Sequence, residues 1–263
     1  MLDLHGNQIE NIPDGLSKLQ NLQILNLSGN MLKEIPEDLC SLPLIELQLQ
    51  GNNIERLPKE FGRLSNLAAL DLSRNALRHL PDSISRITSL QSLNISHNKI
   101  QVLSNIDISS FGLLKSLIAS NNQIFAFDDS DDPIKLPKLT FLDLKYNEFK
   151  IWDTKLICQD LKDFCCAFNK ISTVQEGSFS DCPELEVFDI RDNNIGYVPK
   201  DVLVLYNLKR LDITNNSIST LPPELSLLKK LVAIHHTGNP LRGLPSSGKI
   251  TCEILLTRKK AAL

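Results

Sequence analysis

Rings are scarce in this sequence: 5% of its 263 residues are aromatic, ten Phe, three Tyr and one Trp. No run of eighteen apolar residues occurs, which excludes a membrane-spanning helix. Neither sign of charge prevails. The 28 basic and 31 acidic residues leave a net charge of −3, which gives no electrostatic footprint for DNA or RNA. The opening Met1-Leu2-Asp3-Leu4-His5 has neither a basic n-region nor a long apolar h-region and does not read as a signal peptide. Paired cysteine motifs are missing too. Cys40, Cys158, Cys165, Cys166, Cys182 and Cys252 are scattered without a CxxC, which points to reduced thiols and an intracellular setting, cytoplasm or nucleus.

Against these shortages stand 47 Leu and 22 Asn. Leu and Asn rising together while rings fall points to a repeat rather than a conventional core. The repeat is L-x-x-L-x-L-x-x-N-x-L, clearest at Leu22-x-x-Leu25-x-Leu27-x-x-Asn30-x-Leu32 and Leu67-x-x-Leu70-x-Leu72-x-x-Asn75-x-Leu77. Its asparagines are Asn7, Asn30, Asn52, Asn75, Asn98, Asn122, Asn147, Asn169, Asn193, Asn216 and Asn239, spaced 22 to 25 residues apart. The L-x-L alternation makes a short strand with one face buried. Each copy is too short to bury its own leucines, so it must stack on its neighbours. The Asn ends the strand and turns inward. Its amide offers both donors and an acceptor to turn backbone that stacking would bury.

A second element lies on the return leg. Seven copies carry an apolar residue followed by proline: Ile12-Pro13, Ile35-Pro36, Leu57-Pro58, Leu80-Pro81, Val198-Pro199, Leu221-Pro222 and Leu244-Pro245. Proline fixes φ and blocks a long helix, so short helical or 3₁₀ turns are expected there.

These residues resemble the leucine-rich repeat signature over residues 1–249, and the apolar-Pro element resembles the short LP-type intracellular subclass. The resemblance implies an α/β solenoid. It would be a curved horseshoe with a parallel concave sheet and short helical or 3₁₀ turns on the convex side. Eleven repeats, the first truncated, would be followed by a capping segment at 250–263, with Ile250–Leu256 as a short amphipathic helix. Met1 falls inside the first strand with no cap ahead of it, so the sequence reads as a piece of a longer protein. The stretch from Pro222 to Arg242, with Ile254-Leu255 behind it, resembles the C-terminal region of one intracellular member, and Lys259–Leu263 depart from it.

Strand alternation predicts which residues face solvent. The position between the two motif leucines reads Asp3, Asn26, Gln48, Asp71, Asn94, Ile118, Asp143, Cys165, Asp189, Asp212 and His235, an acidic stripe along the sheet. Repeats six to eight interrupt it with Ile118, Phe141, Tyr146, Cys165, Ala167 and Phe168, and these repeats also lack the apolar-Pro element. Large apolar groups on a surface mark a contact. The expectation is a protein partner whose apolar anchor docks on this patch and whose basic groups meet Asp143, Asp189 and Asp212. The competing reading is a polar ladder between strands, with a register error of one residue burying the rings.

Other motifs carry less. Asp128-Asp129-Ser130-Asp131-Asp132 lacks the turn glycine and bidentate Glu of a calcium loop and reads as a solvated insertion. Gly243-Leu244-Pro245-Ser246-Ser247-Gly248-Lys249 fits G-x-x-x-x-G-K, but Ile250 stands where a magnesium-binding Ser or Thr belongs, so it reads as a turn. The five histidines show no H-E-x-x-H spacing, and alternation sends Cys166 to the core and Cys165 to the surface. Asn26-Leu27-Ser28, Asn94-Ile95-Ser96 and Asn215-Asn216-Ser217 match glycosylation sequons but arise from the repeat itself. The reading is a non-enzymatic interaction scaffold with no cofactor, no metal, no nucleic acid, no membrane insertion and no small-molecule substrate. The repeat portion of a larger enzyme or regulator, and an extracellular recognition module, stay open as alternatives.

Overall fold

The computed structural model describes residues 1–13, 15–127 and 132–242, with the backbone of residues 249–250. The chain divides into two compact units, Met1–Asp131 and Asp132–Leu263. In the first, the L-x-L segments form β1 (Leu2–Asp3), β2 (Ile24–Asn26), β3 (Glu46–Gln48), β4 (Ala69–Asp71), β5 (Ser92–Asn94) and β6 (Ser116–Ile118). They pair in chain order, all parallel, and the register never slips: Leu25 lies opposite Leu47, Leu47 opposite Leu70, Leu70 opposite Leu93, and Leu93 opposite Leu117.

The second unit holds β7 (Ile134–Lys135), β8 (Phe141–Asp143), β9 (Ile151–Trp152), β10 (Leu156–Ile157), β11 (Asp163–Cys165), β12 (Thr173–Val174), β13 (Val187–Asp189), β14 (Arg210–Asp212), β15 (Ala233–His235) and β16 (Lys249–Ile250). Its main sheet runs β8-β11-β13-β14-β15 in parallel, and β16 joins β15 antiparallel. Ile250, expected to open a short helix, is therefore extended. Residues 251–263, the rest of the expected cap, lie outside the described residues, as do Asp128–Asp131 and Gly243–Gly248.

The middle residue of each three-residue strand points into the core, where Leu25, Leu47, Leu142 and Leu211 are fully buried. In the second unit Phe164 and Phe188 take the leucine positions. With Phe149, Trp152 and Phe179 they form an aromatic core whose neighbouring ring centroids lie 4.7 to 5.7 Å apart. The low overall aromatic content concealed this cluster.

On the return leg, proline favours a 3₁₀ turn. At Pro36, Pro81, Pro199 and Pro222, φ is held between −71° and −56°, and the proline carbonyl accepts the first i→i+3 bond of the turn. Examples are Leu39 N–H to Pro36 O, Ile84 N–H to Pro81 O and Val202 N–H to Pro199 O. Among the described residues every helical turn is of this 3₁₀ kind. Where proline is absent, the backbone keeps its N–H donors and strand pairing appears, although Ile108–Ser110 still forms a 3₁₀ turn. Val102 bridges Ala126 in the first unit, and β9 pairs with β12 in the second.

The repeat asparagines tie each copy to the one before. Asn52 Nδ2 donates to Leu49 O at 2.9 Å and to Leu27 O of the preceding repeat at 3.0 Å, while its Oδ1 accepts Leu32 N–H at 3.0 Å. Asn193 repeats the pattern with Ile190 O, Cys166 O and Ile171 N–H. The amide satisfies three backbone groups that stacking takes out of water, as the side chain's donor and acceptor inventory allows. Asn193→Ala leaves those groups without partners. We expect a loss of about 1–3 kcal/mol in urea unfolding, whereas an exposed polar residue such as Gln123 changed to Ala stays within about 0.5 kcal/mol. Equal stability of the two variants would refute the ladder.

Candidate functional site

Four rows of side chains make the strand face of the second unit. The first strand residues are Phe141, Asp163, Val187, Arg210 and Ala233; the third are Asp143, Cys165, Asp189, Asp212 and His235. Beyond the strand ends lie Lys145, Ala167, Arg191, Thr214 and Thr237, then Tyr146, Phe168, Asp192, Asn215 and Gly238 immediately ahead of the ladder asparagines. Ile118 ends β6 in the first unit, where it lines a shallow concavity of about 300 Å³ with Glu46, Gln48, Asp71 and Asn94.

In the second unit the acidic stripe is not solvent-exposed. Asp143, Asp189 and Asp212 are 6%, 5% and 3% exposed. Each carboxylate folds back to accept the backbone N–H two residues on: Lys145 at 3.0 Å, Arg191 at 3.3 Å and Thr214 at 3.2 Å. This turn ends the strand, and Asp3, Asn26, Asp71 and Asn94 make it as well. Cations then cover the carboxylates: Lys145 Nζ lies 3.4 Å from Asp143, Arg191 Nε 3.6 Å from Asp189, and Arg210 donates to Asp212 at 3.1 Å. A partner's basic groups therefore do not reach these three aspartates directly. Ala167 is a second correction. It is fully buried, because its methyl is shorter than the lysine and arginine in the same row.

The residue ahead of each ladder asparagine has a positive φ in all eleven repeats: Gly6, Gly29, Gly51, Arg74, His97, Asn121, Tyr146, Phe168, Asp192, Asn215 and Gly238. Glycine adopts this left-handed conformation without cost, and a bulky residue is strained there. Tyr146 and Phe168 hold φ of 55° and 54°, and their rings stack with centroids 4.3 Å apart and planes 6° from parallel. The Arg191 guanidinium lies over Phe168, 5.6 Å from its centroid. Tyr146 is 47% exposed despite the stacking. Strained positions that carry exposed rings are where function is sought. The signal was present in the sequence as the glycines at four of the eleven positions, visible once the copies are aligned.

The cysteines divide as alternation predicts, with Cys166 in the core and Cys165 half-buried. Burial, with the neighbouring Asp189 carboxylate, pushes the Cys165 thiol up to about 12, so it is not a nucleophile at neutral pH. Its Sγ donates to Asp189 Oδ2 at 3.3 Å. Among the described residues no group of three or more His, Cys, Asp or Glu side chains is arranged to hold a metal.

Two leucine-rich repeat family profiles match this chain, one over residues 1–54 and 43–100, the other over residues 89–114 and 207–228. The chain belongs to the leucine-rich repeat family. Solved structures agree. A leucine-rich repeat protein of Leptospira interrogans is 28% identical with a TM-score of 0.56, covering 92% of this chain and 73% of that one. An octameric complex of Latrophilin 3, Unc5D and FLRT2, with FLRT2 as the leucine-rich repeat component, matches at 25% identity and a TM-score of 0.61, over 92% of this chain and 68% of that one. The plant peptide hormone receptor RGFR1, in complex with RGF2, matches at 21% and 0.63 over 88% of this chain, a likeness of fold alone. This chain spans less than half of that receptor chain, 46%. A comparison with curated proteins finds no match.

Two predictions follow from the leucine-rich repeat geometry of this face. Replacing Tyr146 and Phe168 by glycine relieves a strain of about 1–2 kcal/mol per residue and removes stacking worth about 0.5–1.5 kcal/mol. The double variant should melt within about 4 °C of the parent; a larger drop would mean the rings are core.

The two neighbouring aspartates should respond oppositely to pH. Burial raises the Asp189 pKa above 3.8, so its contribution to stability is full below 3.8 and is lost as pH rises through the raised value. Burial also presses Asp212 upward, but hydrogen bonds from Thr214 and Arg210 hold its pKa below 3.8. Its contribution is present above 3.8 and is lost as pH falls. At pH 7, Asp189→Asn should match or exceed the parent's Tm, while Asp212→Asn falls by about 2–4 °C. The Asp212→Asn deficit should shrink toward pH 3. The reverse ranking would overturn this assignment.

Proposed function

We propose that this leucine-rich repeat chain is a non-enzymatic protein–protein interaction scaffold in the cytoplasm or nucleus, serving signalling or complex assembly. It binds a protein partner on the strand face, the concave face in this family. Phe141, Tyr146, Cys165 and Phe168 supply the apolar contact on the second unit, and Asp143, Asp189 and Asp212 hold the covering cations in place. Ile118 offers a contact of its own on the first unit. The observation that carries this reading is the stack of exposed Tyr146 on half-buried Phe168, held at strained positions that four other repeats fill with glycine. A surface pre-organised by backbone pairing loses little freedom on binding, which favours recognition. The five described cysteines are free thiols, which supports a reducing compartment. The C-terminal stretch resembles leucine-rich repeat-containing protein 40, and that likeness supports the intracellular subclass. A second reading, extracellular recognition, draws on the FLRT2 and RGFR1 neighbours.

The tagged parent and the Tyr146→Gly, Phe168→Gly variant serve as baits for affinity capture from cytosolic extract and from a cell-surface fraction. We expect a cytosolic protein retained by the parent and lost with the variant. Identical capture by both would reject this surface, and ring-dependent capture confined to the cell-surface fraction would favour the extracellular reading.

A further inference from the structure

We infer that the strand face of the second unit takes an acidic peptide segment of its protein partner. An apolar or aromatic side chain of that segment covers Tyr146 and Phe168, and a neighbouring carboxylate meets Arg191 and Arg210. This inference rests on the protein-binding reading above and reverses the charge that the sequence alone assigns to the partner.

The carboxylates of Asp143, Asp189 and Asp212 form the floor of the face, at most 8% exposed as side chains, and the side chains of Lys145, Arg191 and Arg210 that pair with them are 32%, 34% and 44% exposed. A partner that approaches this part of the face meets the cations first. Arg191 holds its carboxylates loosely. Its ion pairs are long, 3.6 Å from Nε to Asp189 and 3.8 Å from Nη1 to Asp212, and its buried Nε has no hydrogen-bond acceptor. Among the described residues no side-chain N–H of Arg191 reaches an acceptor at hydrogen-bond distance, and its guanidinium carbon lies 5.6 Å from the Phe168 ring centroid. An under-bonded guanidinium beside an aromatic platform suits a carboxylate next to an apolar side chain. Arg210 makes one short bond, from Nη2 to Asp212, and its side chain is 44% exposed.

Two carboxylates on the face are half exposed. Asp192 accepts a hydrogen bond from Asn215 at 2.7 Å. Asp163 has no cation within 4.0 Å among the described residues and lies two strands from Arg210 in the same row. Asp163 opposes an acidic segment, so the partner's carboxylate belongs at the Arg191–Arg210 end. The arrangement gives charge variants opposite signs, which a basic segment would invert.

The test pans a phage-displayed random peptide library on the full chain and then titrates one enriched peptide calorimetrically. We expect Asp- or Glu-rich peptides with one large apolar or aromatic residue. Arg210→Gln should weaken binding about tenfold, Asp163→Asn should tighten it, and added salt should weaken it. Arg210 is exposed, so its replacement leaves the fold intact, and Asp163→Asn gives an independent sign. Lys- or Arg-rich peptides that still need Phe168, or inverted signs at Arg210 and Asp163, would overturn this inference and leave the protein-binding surface standing. Peptides indifferent to Phe168→Gly, or no enrichment at all, would remove both.

Discussion

A buried side-chain amide at the end of each strand is the interaction on which everything else here depends. Stacking repeats brings strand-end carbonyls and turn N–H groups out of water, and an unsatisfied buried backbone group costs as much as a lost hydrogen bond. Asparagine answers two carbonyls and one N–H from a single short side chain, as at Asn52 and Asn193. Aspartate would lack the donors, and glutamine carries one more methylene than the turn accommodates. Once the asparagines are in place the strand register follows, and the leucines between them are buried without further specification.

The ladder also shapes the strand face. To bring the amide inward, the residue ahead of it takes a left-handed conformation in every repeat. Glycine meets that demand at no steric cost, so any larger side chain there needs another reason. At Tyr146 and Phe168 the reason offered by the structure is a paired aromatic platform with Arg191 against it. The rest of the face is a two-layer electrostatic arrangement. Carboxylates close the strand-end turns beneath, and basic side chains from the adjoining rows lie over them. The identity of the outer layer matters most to a partner, because contact begins there.

Much of this was legible in the sequence. The eleven asparagines, the L-x-L strands and the inward and outward assignments of Cys166 and Cys165 all follow from period and alternation. The placement of Tyr146 and Phe168 does not follow from alternation, which groups them with the inward residues of their strands; the left-handed turn ahead of the ladder asparagine decides it. Three further things were not legible. The aromatic core of Phe149, Trp152, Phe164, Phe179 and Phe188 was hidden because a chain-wide average dilutes a local cluster. Ala167 faces outward by register but is covered, because register gives direction and not depth. Asp143, Asp189 and Asp212 looked like docking points for basic groups because one-dimensional alternation does not show a carboxylate folding back onto the N–H two residues on.

The sequence by itself determined the repeat, the strand register and the direction of the side chains within the strands, because these depend on periodicity and on backbone hydrogen bonding within and between adjacent copies. Only the tertiary structure decided which of the outward-facing groups a partner meets. Depth on a surface is set by side-chain length, by neighbours a full repeat away and by which charge lies over which. Lys145, Arg191 and Arg210 cover aspartates that the sequence places on the same face.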